Sequence, residues 1–129
     1  MANEITLTVS MAVSKGTLRY TFNPPTASIN LTGNAAAGGV QNVSTTTEAL
    51  SLIDVTTRGL ANFINLSTGT EVEIGSYDGA NFHSFGLLKA GEPAVMRLSS
   101  QTGTTQSPVA RVTVPTNGTA NIQWQVFAD

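Results

Sequence analysis

Apolar and polar positions alternate with a period of two along much of this chain, and the alternation begins near its start. Ile5, Leu7, Val9, Met11 and Val13 are separated by Thr6, Thr8, Ser10 and Ala12, the longest such run in the sequence. A period of two is that of a strand with unlike faces. Ser14-Lys15-Gly16 supplies a turn, and Leu18, Tyr20 and Phe22 resume the alternation around Arg19 and Thr21, so residues 4–22 predict a hairpin that ends at Asn23-Pro24-Pro25. Ala27, Ile29 and Leu31 predict a short third strand. Gly33 to Gly39 is a run of small residues with little to bury and predicts a flexible loop.

The clearest strand pattern lies between Gly59 and Leu98. Val72 and Ile74 alternate with Glu71 and Glu73, which turns the carboxylates outward; Leu60 to Leu66 precedes them, joined through Ser67-Thr68-Gly69. Asp78-Gly79 marks a turn before a strand from Phe82 to Leu88. Lys89 to Glu92 is the next turn, and Pro93 opens a strand to Leu98, at the position where its missing N–H does least harm. Together these segments predict a four-stranded meander. Thr45-Thr46-Thr47-Glu48 has the spacing of a helix capping box, but Leu50 and Leu52 are two apart, not three or four, and favour a strand. Gln101 to Pro108 reads as a polar loop, and Val109 to Val114 with Ala120 to Phe127 as a last hairpin across Pro115 to Thr119. The expectation is an all-β fold: an antiparallel β-sandwich, jelly-roll-like, of about nine strands, in one domain over residues 1–129.

Composition supports this and narrows the function. Charged residues are 11% of the chain against 40% hydrophobic, and Thr occurs nineteen times, so the surface is covered by hydroxyls and amides more than by charge; a β-branched hydroxyl residue suits the wet face of a strand. The net charge is −2, with six basic residues scattered from Lys15 to Arg111, and nothing forms the concentrated basic face that tracks a phosphate backbone. Nucleic acid is therefore not an expected partner. Without cysteine there is no thiolate nucleophile, thiolate metal site or disulfide framework. The N-terminal apolar residues alternate instead of running continuously, which predicts a soluble chain with no secretory signal, membrane span or membrane partner.

Chemistry is scarce. His83 is the only histidine, so any triad would need it as base, and no nucleophile elbow surrounds a serine. Glu71 and Glu73 share one strand face and so do not flank a substrate bond. Asp78 and Asn81 fall short of the six to eight oxygens of a calcium site. No phosphate-cradling glycine motif occurs. Asn30, Asn42, Asn65 and Asn117 open N-x-[ST] sequons, against roughly two expected by chance from this Ser/Thr content, and without a signal peptide the four mean little. Trp124, alternating with Ile122 and Val126, reads as core. No catalytic, metal or cofactor site is expected, and the chain reads as a non-enzyme that acts by presenting surface.

Two surfaces are candidates. The N-terminal strand is long, regular and nearly free of charge, a template for pairing with another chain if uncovered; Ile5, Leu7 and Val9 are its candidate partner-binding residues, and residues 1–22 a candidate inter-subunit element. Tyr77 and Phe82 flank the Asp-Gly turn and, with Phe85, are the only aromatics placed to form a carbohydrate-binding face.

Gly59-Leu60-Ala61-Asn62-Phe63-Ile64-Asn65-Leu66, Glu71-Val72-Glu73-Ile74-Gly75 and Leu88-Lys89-Ala90-Gly91-Glu92-Pro93-Ala94-Val95-Met96-Arg97-Leu98 resemble the recurring pattern of small tailed-bacteriophage virion proteins: a strand ending in N-L, then V-E-I-G, a hairpin, and L-x-x-G-E-x-A-x-x-R-L. Ser44 to Leu50 and Ala120 to Asp129 also resemble it, and together these cover roughly the C-terminal two-thirds of the chain. The resemblance implies a capsid decoration or cement protein, a β-sandwich that is often trimeric, made in the bacterial host cytoplasm and seated on the outer capsid surface against the major capsid protein. The alternatives are a tail, baseplate or head-fibre component and a carbohydrate-binding module. Asn23-Pro24-Pro25 and the Ala/Gly run do not match the pattern.

Overall fold

A computed structural model describes residues 4–52, 55–98, 107–113 and 118–129. Among these there are twelve strands and no helix, so the all-β expectation holds while the strand count exceeds the expected nine. The chain divides into two compact units, Met1–Thr32 and Gly33–Asp129.

The first unit is a long antiparallel hairpin in two pieces. β1 (Ile5–Leu7) pairs with β4 (Ala27–Ile29), and β2 (Met11–Lys15) pairs with β3 (Leu18–Phe22). The expected single strand from Ile5 to Val13 is thus divided, and the short third strand extends the hairpin instead of standing apart from it. The break has a physical cause. Between the pairs Leu7↔Ala27 and Met11↔Phe22, one side has Thr8, Val9 and Ser10 while the other has Asn23, Pro24, Pro25 and Thr26. Two prolines cannot donate to a ladder, and the extra residue is taken up there as an offset. At the far end Lys15 faces Leu18, which leaves a two-residue turn, Gly16-Thr17, with Gly16 at φ 56°; this is the tight connection whose twist suits a hairpin, and it needs a residue free to take positive φ.

The second unit holds two four-stranded antiparallel sheets. One has the order β10 (Pro93–Arg97), β7 (Arg58–Asn65), β12 (Ala120–Ala128), β5 (Ala36–Val43). The other has the order β6 (Glu48–Ala49), β11 (Ser107–Val112), β8 (Val72–Tyr77), β9 (Phe82–Leu88). Val43, Phe63, Ile122, Trp124 and Val126 from the first sheet and Val72, Ile74, Leu88, Ala110 and Val112 from the second share one buried apolar core, a sandwich-like arrangement. Trp124 is in it, as its alternation predicts.

Three expectations are corrected. The segment from Gly59 to Leu98 is not a meander: β8 and β9 form a hairpin in one sheet, while β7 and β10 pair with each other in the other. Residues 66–71 between β7 and β8 make a link too long for a tight hairpin, and it crosses between sheets. The last two strands are not a hairpin either, because β11 pairs with β8 and β6, and β12 with β5 and β7; Val114 to Asn117, which were to close it, lie outside the described residues, as does the expected polar loop up to residue 106. The small-residue run is no loop over its second half, since Ala36 to Val43 is a strand along β12. A Cβ on Gly38 would sit 2.3 Å from Gln125 Oε1 and 2.6 Å from the Trp124 carbonyl oxygen, and one on Gly33 would sit 2.5 Å from Ala128 Cβ. Small side chains there answer close backbone approach, not flexibility.

The crossing is held by Asn65, whose side chain is fully buried. Its Nδ2 donates to the carbonyls of Thr70 (2.7 Å) and Leu88 (3.0 Å), and its Oδ1 accepts from Ser67 N (3.0 Å) and Ser67 Oγ (2.7 Å). The backbone of the same residue receives Gly91 N–H and donates to the Glu92 carbonyl. One residue therefore ties the end of β7, the link into β8 and the end of β9 through its side chain, and the turn into β10 through its backbone. Buried polar groups are as a rule hydrogen-bonded, and for Asn65 the partners are the crossing itself.

Candidate functional site

The hairpin unit sorts its side chains onto two faces. Directly opposed residues of an antiparallel pair point the same way and successive residues alternate, so the pairs Met11↔Phe22, Val13↔Tyr20 and Lys15↔Leu18 share one face. Ile5 with Ile29 and Leu7 with Ala27 continue it. The offset at Pro24-Pro25 matters for this: apolar positions are even-numbered from Leu18 to Phe22 and odd-numbered from Ala27 to Leu31, and the extra residue returns the second set to the same side. The other face is polar and bonded across the strands. Thr8 Oγ1 lies 3.3 Å from Thr26 Oγ1, Ser10 Oγ donates to Asn23 Oδ1 at 2.7 Å, and Arg19 donates to Ser14 Oγ.

What distinguishes the apolar face is that its residues are at most half-buried. None of the described residues from Glu4 to Thr32 is buried; Leu18 is 58% exposed, Tyr20 50% and Met11 48%. Of the sequence candidates, Ile5 and Leu7 are half-buried and Val9 is exposed. Sequence reasoning took these three and passed over Met11, Leu18, Tyr20, Phe22 and Ile29. The signal was the same alternation in the returning strand, interrupted by the two prolines.

Tyr77 and Phe82 come together in the other unit as opposed residues at the ends of β8 and β9. The four residues between them form a turn built on Asp78. Its N–H donates to the Asn81 carbonyl, its Oδ1 accepts from Ala80 N (2.9 Å) and Asn81 N (2.7 Å), and its Oδ2 lies 2.8 Å from His83 Nε2. The His83 hydrogen bond, then the amides of Asn81 and Ala80, hold the Asp78 carboxyl well below the usual carboxylate range. Asp78 and His83 are thus turn-forming groups on an exposed rim, and Gly79 at φ 97° completes the turn.

Phe82 is engaged within its own sheet. A Cβ on Gly75 would lie 2.2 Å from the His83 carbonyl oxygen and 2.9 Å from Phe82 Cζ, so the neighbouring backbone and the ring both close on the place of the missing side chain. The Arg111 guanidinium carbon stands 4.2 Å from the ring centre, a cation–π contact, and Arg111 Nε donates to Glu73 Oε2 at 2.8 Å. Glu73 is therefore half of an ion pair. Tyr77 and Phe85 are exposed, and Phe85 is the extra residue where the β8–β9 register shifts between Ile74 and Gly75.

Among the described residues no group of three or more His, Cys, Asp and Glu side chains is placed to hold a metal ion. None of them forms a helix long and apolar enough to cross a membrane. Comparison with family models, with curated proteins and with solved structures found no match to this chain.

Proposed function

We propose that the protein is a structural, non-enzymatic virion protein that decorates a bacteriophage capsid from outside, as a homo-oligomer, a trimer, bridging subunits of the major capsid protein. The observation that carries the reading is the division of labour in the chain: a sandwich-like unit with a buried apolar core, and a hairpin unit whose apolar face has no fully buried residue and is exposed at Val9, Met11, Leu18, Tyr20 and Phe22. A segment that orders some thirty residues without a core of its own needs contacts from outside its own strands.

Strand order supports the finer reading of the sandwich as a jelly roll. Its eight strands form the sheets β10-β7-β12-β5 and β6-β11-β8-β9, with the chain changing sheet at nearly every step. Such an eight-stranded double Greek key is used by viral capsid domains, and also by lectins. The charge-poor surface suits close packing of repeated copies, and bridging neighbouring capsomers at several points makes weak single contacts sufficient. Phe82 is half-buried with Arg111 over its ring, which disfavours the carbohydrate-binding alternative.

The test is cosedimentation of the purified protein with capsids that lack it. Saturable binding at a fixed number of copies per capsomer, with increased resistance of the shell to heat, is the expected result. No binding to shells, together with incorporation into tails or fibres, would replace the reading with a tail or head-fibre role.

A further inference from the structure

We infer that the apolar face of the hairpin unit is the surface through which copies of this chain associate with one another, hairpin face against hairpin face. The inference takes the homo-oligomer of the proposed function and assigns it a surface, so it rests on that part of the reading and not on the capsid.

The face is continuous from Ile5, Leu7, Ala27 and Ile29 at the base to Met11, Val13, Tyr20 and Phe22 near the tip. From Ile5 to Lys15 it runs about 35 Å at the rise of a strand. The exposed parts of Val9, Met11, Leu18, Tyr20 and Phe22 together present apolar surface on the order of 500 Å², at the upper end of what a monomer tolerates as a contiguous patch. With the base included, the face approaches the ~800 Å² per partner that a stable interface buries.

Two further features point to an identical copy as the occupant. The face carries no charge between its ends: Lys15 at the tip is the only charged residue on it, and a lysine stem leaves its ammonium in water. Identical faces meet without like-charge repulsion, as an interface around a symmetry axis requires. The polar face, in contrast, already joins Thr8 to Thr26, Ser10 to Asn23 and Arg19 to Ser14 across the strands, so these groups gain little from a partner. Packing the faces inward around an axis buries what the single chain leaves wet and keeps the bonded ladder outside, the arrangement of any two-layer β structure.

The experiment uses the full chain alone, with no capsid. Sedimentation should give a whole-number multiple of 13.4 kDa. The double variant Tyr20→Thr/Phe22→Thr should weaken association at least tenfold, and Thr21→Asn, on the polar face, should leave it unchanged. The chain has no cysteine, so single-cysteine variants give a second readout that does not depend on weakening anything. Under mild oxidation Tyr20→Cys should form a disulfide-linked pair quickly, and Thr21→Cys should not. A monomer at tens of micromolar overturns the inference, as does an oligomer that survives the double variant or a Thr21→Cys that cross-links as fast as Tyr20→Cys. A monomer that still decorates shells would sink this inference and leave the virion reading; an oligomer with the expected cross-links that binds no shell would do the reverse.

Discussion

The hairpin of residues 4–32 and the sandwich that follows it are written in the same alternating pattern, yet they come to opposite ends. In the sandwich the apolar positions of two sheets meet, and Val43, Val72, Ile122 and Val126 reach zero exposure. In the hairpin the apolar positions line up as regularly and meet nothing from their own two strands. Alternation therefore specifies that a face exists, while the number of layers decides whether it is buried. A two-stranded ribbon with one apolar face is marginal in water, and the regularity of that face is the ground on which we propose that other copies cover it.

The difference is sharpest in what single substitutions should do. Asn65→Leu has the largest expected effect. It removes both donors that Thr70 and Leu88 depend on, strands Ser67, and should lower the unfolding free energy of the sandwich by at least about 3 kcal/mol in a denaturant titration. Its counterpart in the hairpin, Thr8→Ala, removes an exposed hydroxyl contact and should change that transition by less than about 0.5 kcal/mol. An Asn65 variant that loses under about 1 kcal/mol would mean that the crossing between sheets is not held where we place it.

Next in size is a pair of glycine substitutions within the sandwich. Gly38→Ala drives a methyl into the Trp124 carbonyl and the Gln125 amide and should cost about 1–3 kcal/mol. A Cβ at Gly86 meets nothing within 4 Å, so Gly86→Ala should stay within about 0.5 kcal/mol. Equal costs at the two positions would return the Ala/Gly run to the status of a loosely packed segment.

The smallest effect concerns the turn at Asp78. Its carboxyl is depressed in the folded state, so the stabilisation is fully present above the unfolded value of about 3.9 and is lost only as pH falls through the lower folded value. Carboxyl-carbon NMR should find Asp78 still ionised at about pH 3, where an unperturbed aspartate is mostly protonated. In His83→Ala the midpoint should move back up towards the ordinary range.

Much of this was legible in the residues themselves. Phe82–Leu88 and the strand opened by Pro93 are where the pattern puts them, and Trp124 is core. What period two does not carry is pairing. A hairpin and an arch between sheets show the same alternation, so β7 to β10 read as a meander, and the information that corrects it sits in one amide at Asn65. Gly38 misled for a related reason, because a small residue required by a neighbouring backbone looks in sequence like a small residue with nothing to do. The hairpin face was half legible: Ile5, Leu7 and Val9 stood out and Leu18, Tyr20 and Phe22 read as the returning strand, while the continuation through Ala27 and Ile29 was obscured by Pro24-Pro25, whose effect on facing depends on a register that only the paired strands reveal.

The claim that the sandwich is self-sufficient and the hairpin is completed by other copies is tested most directly by hydrogen exchange on the full chain over a dilution series. Amides of Met11–Lys15 and Leu18–Phe22 should gain protection as protein concentration rises, while those of Phe63, Ile122 and Val126 stay slow at every concentration. Hairpin amides already as protected at the lowest concentration as at the highest, in a sample that is monomeric throughout, would contradict the account.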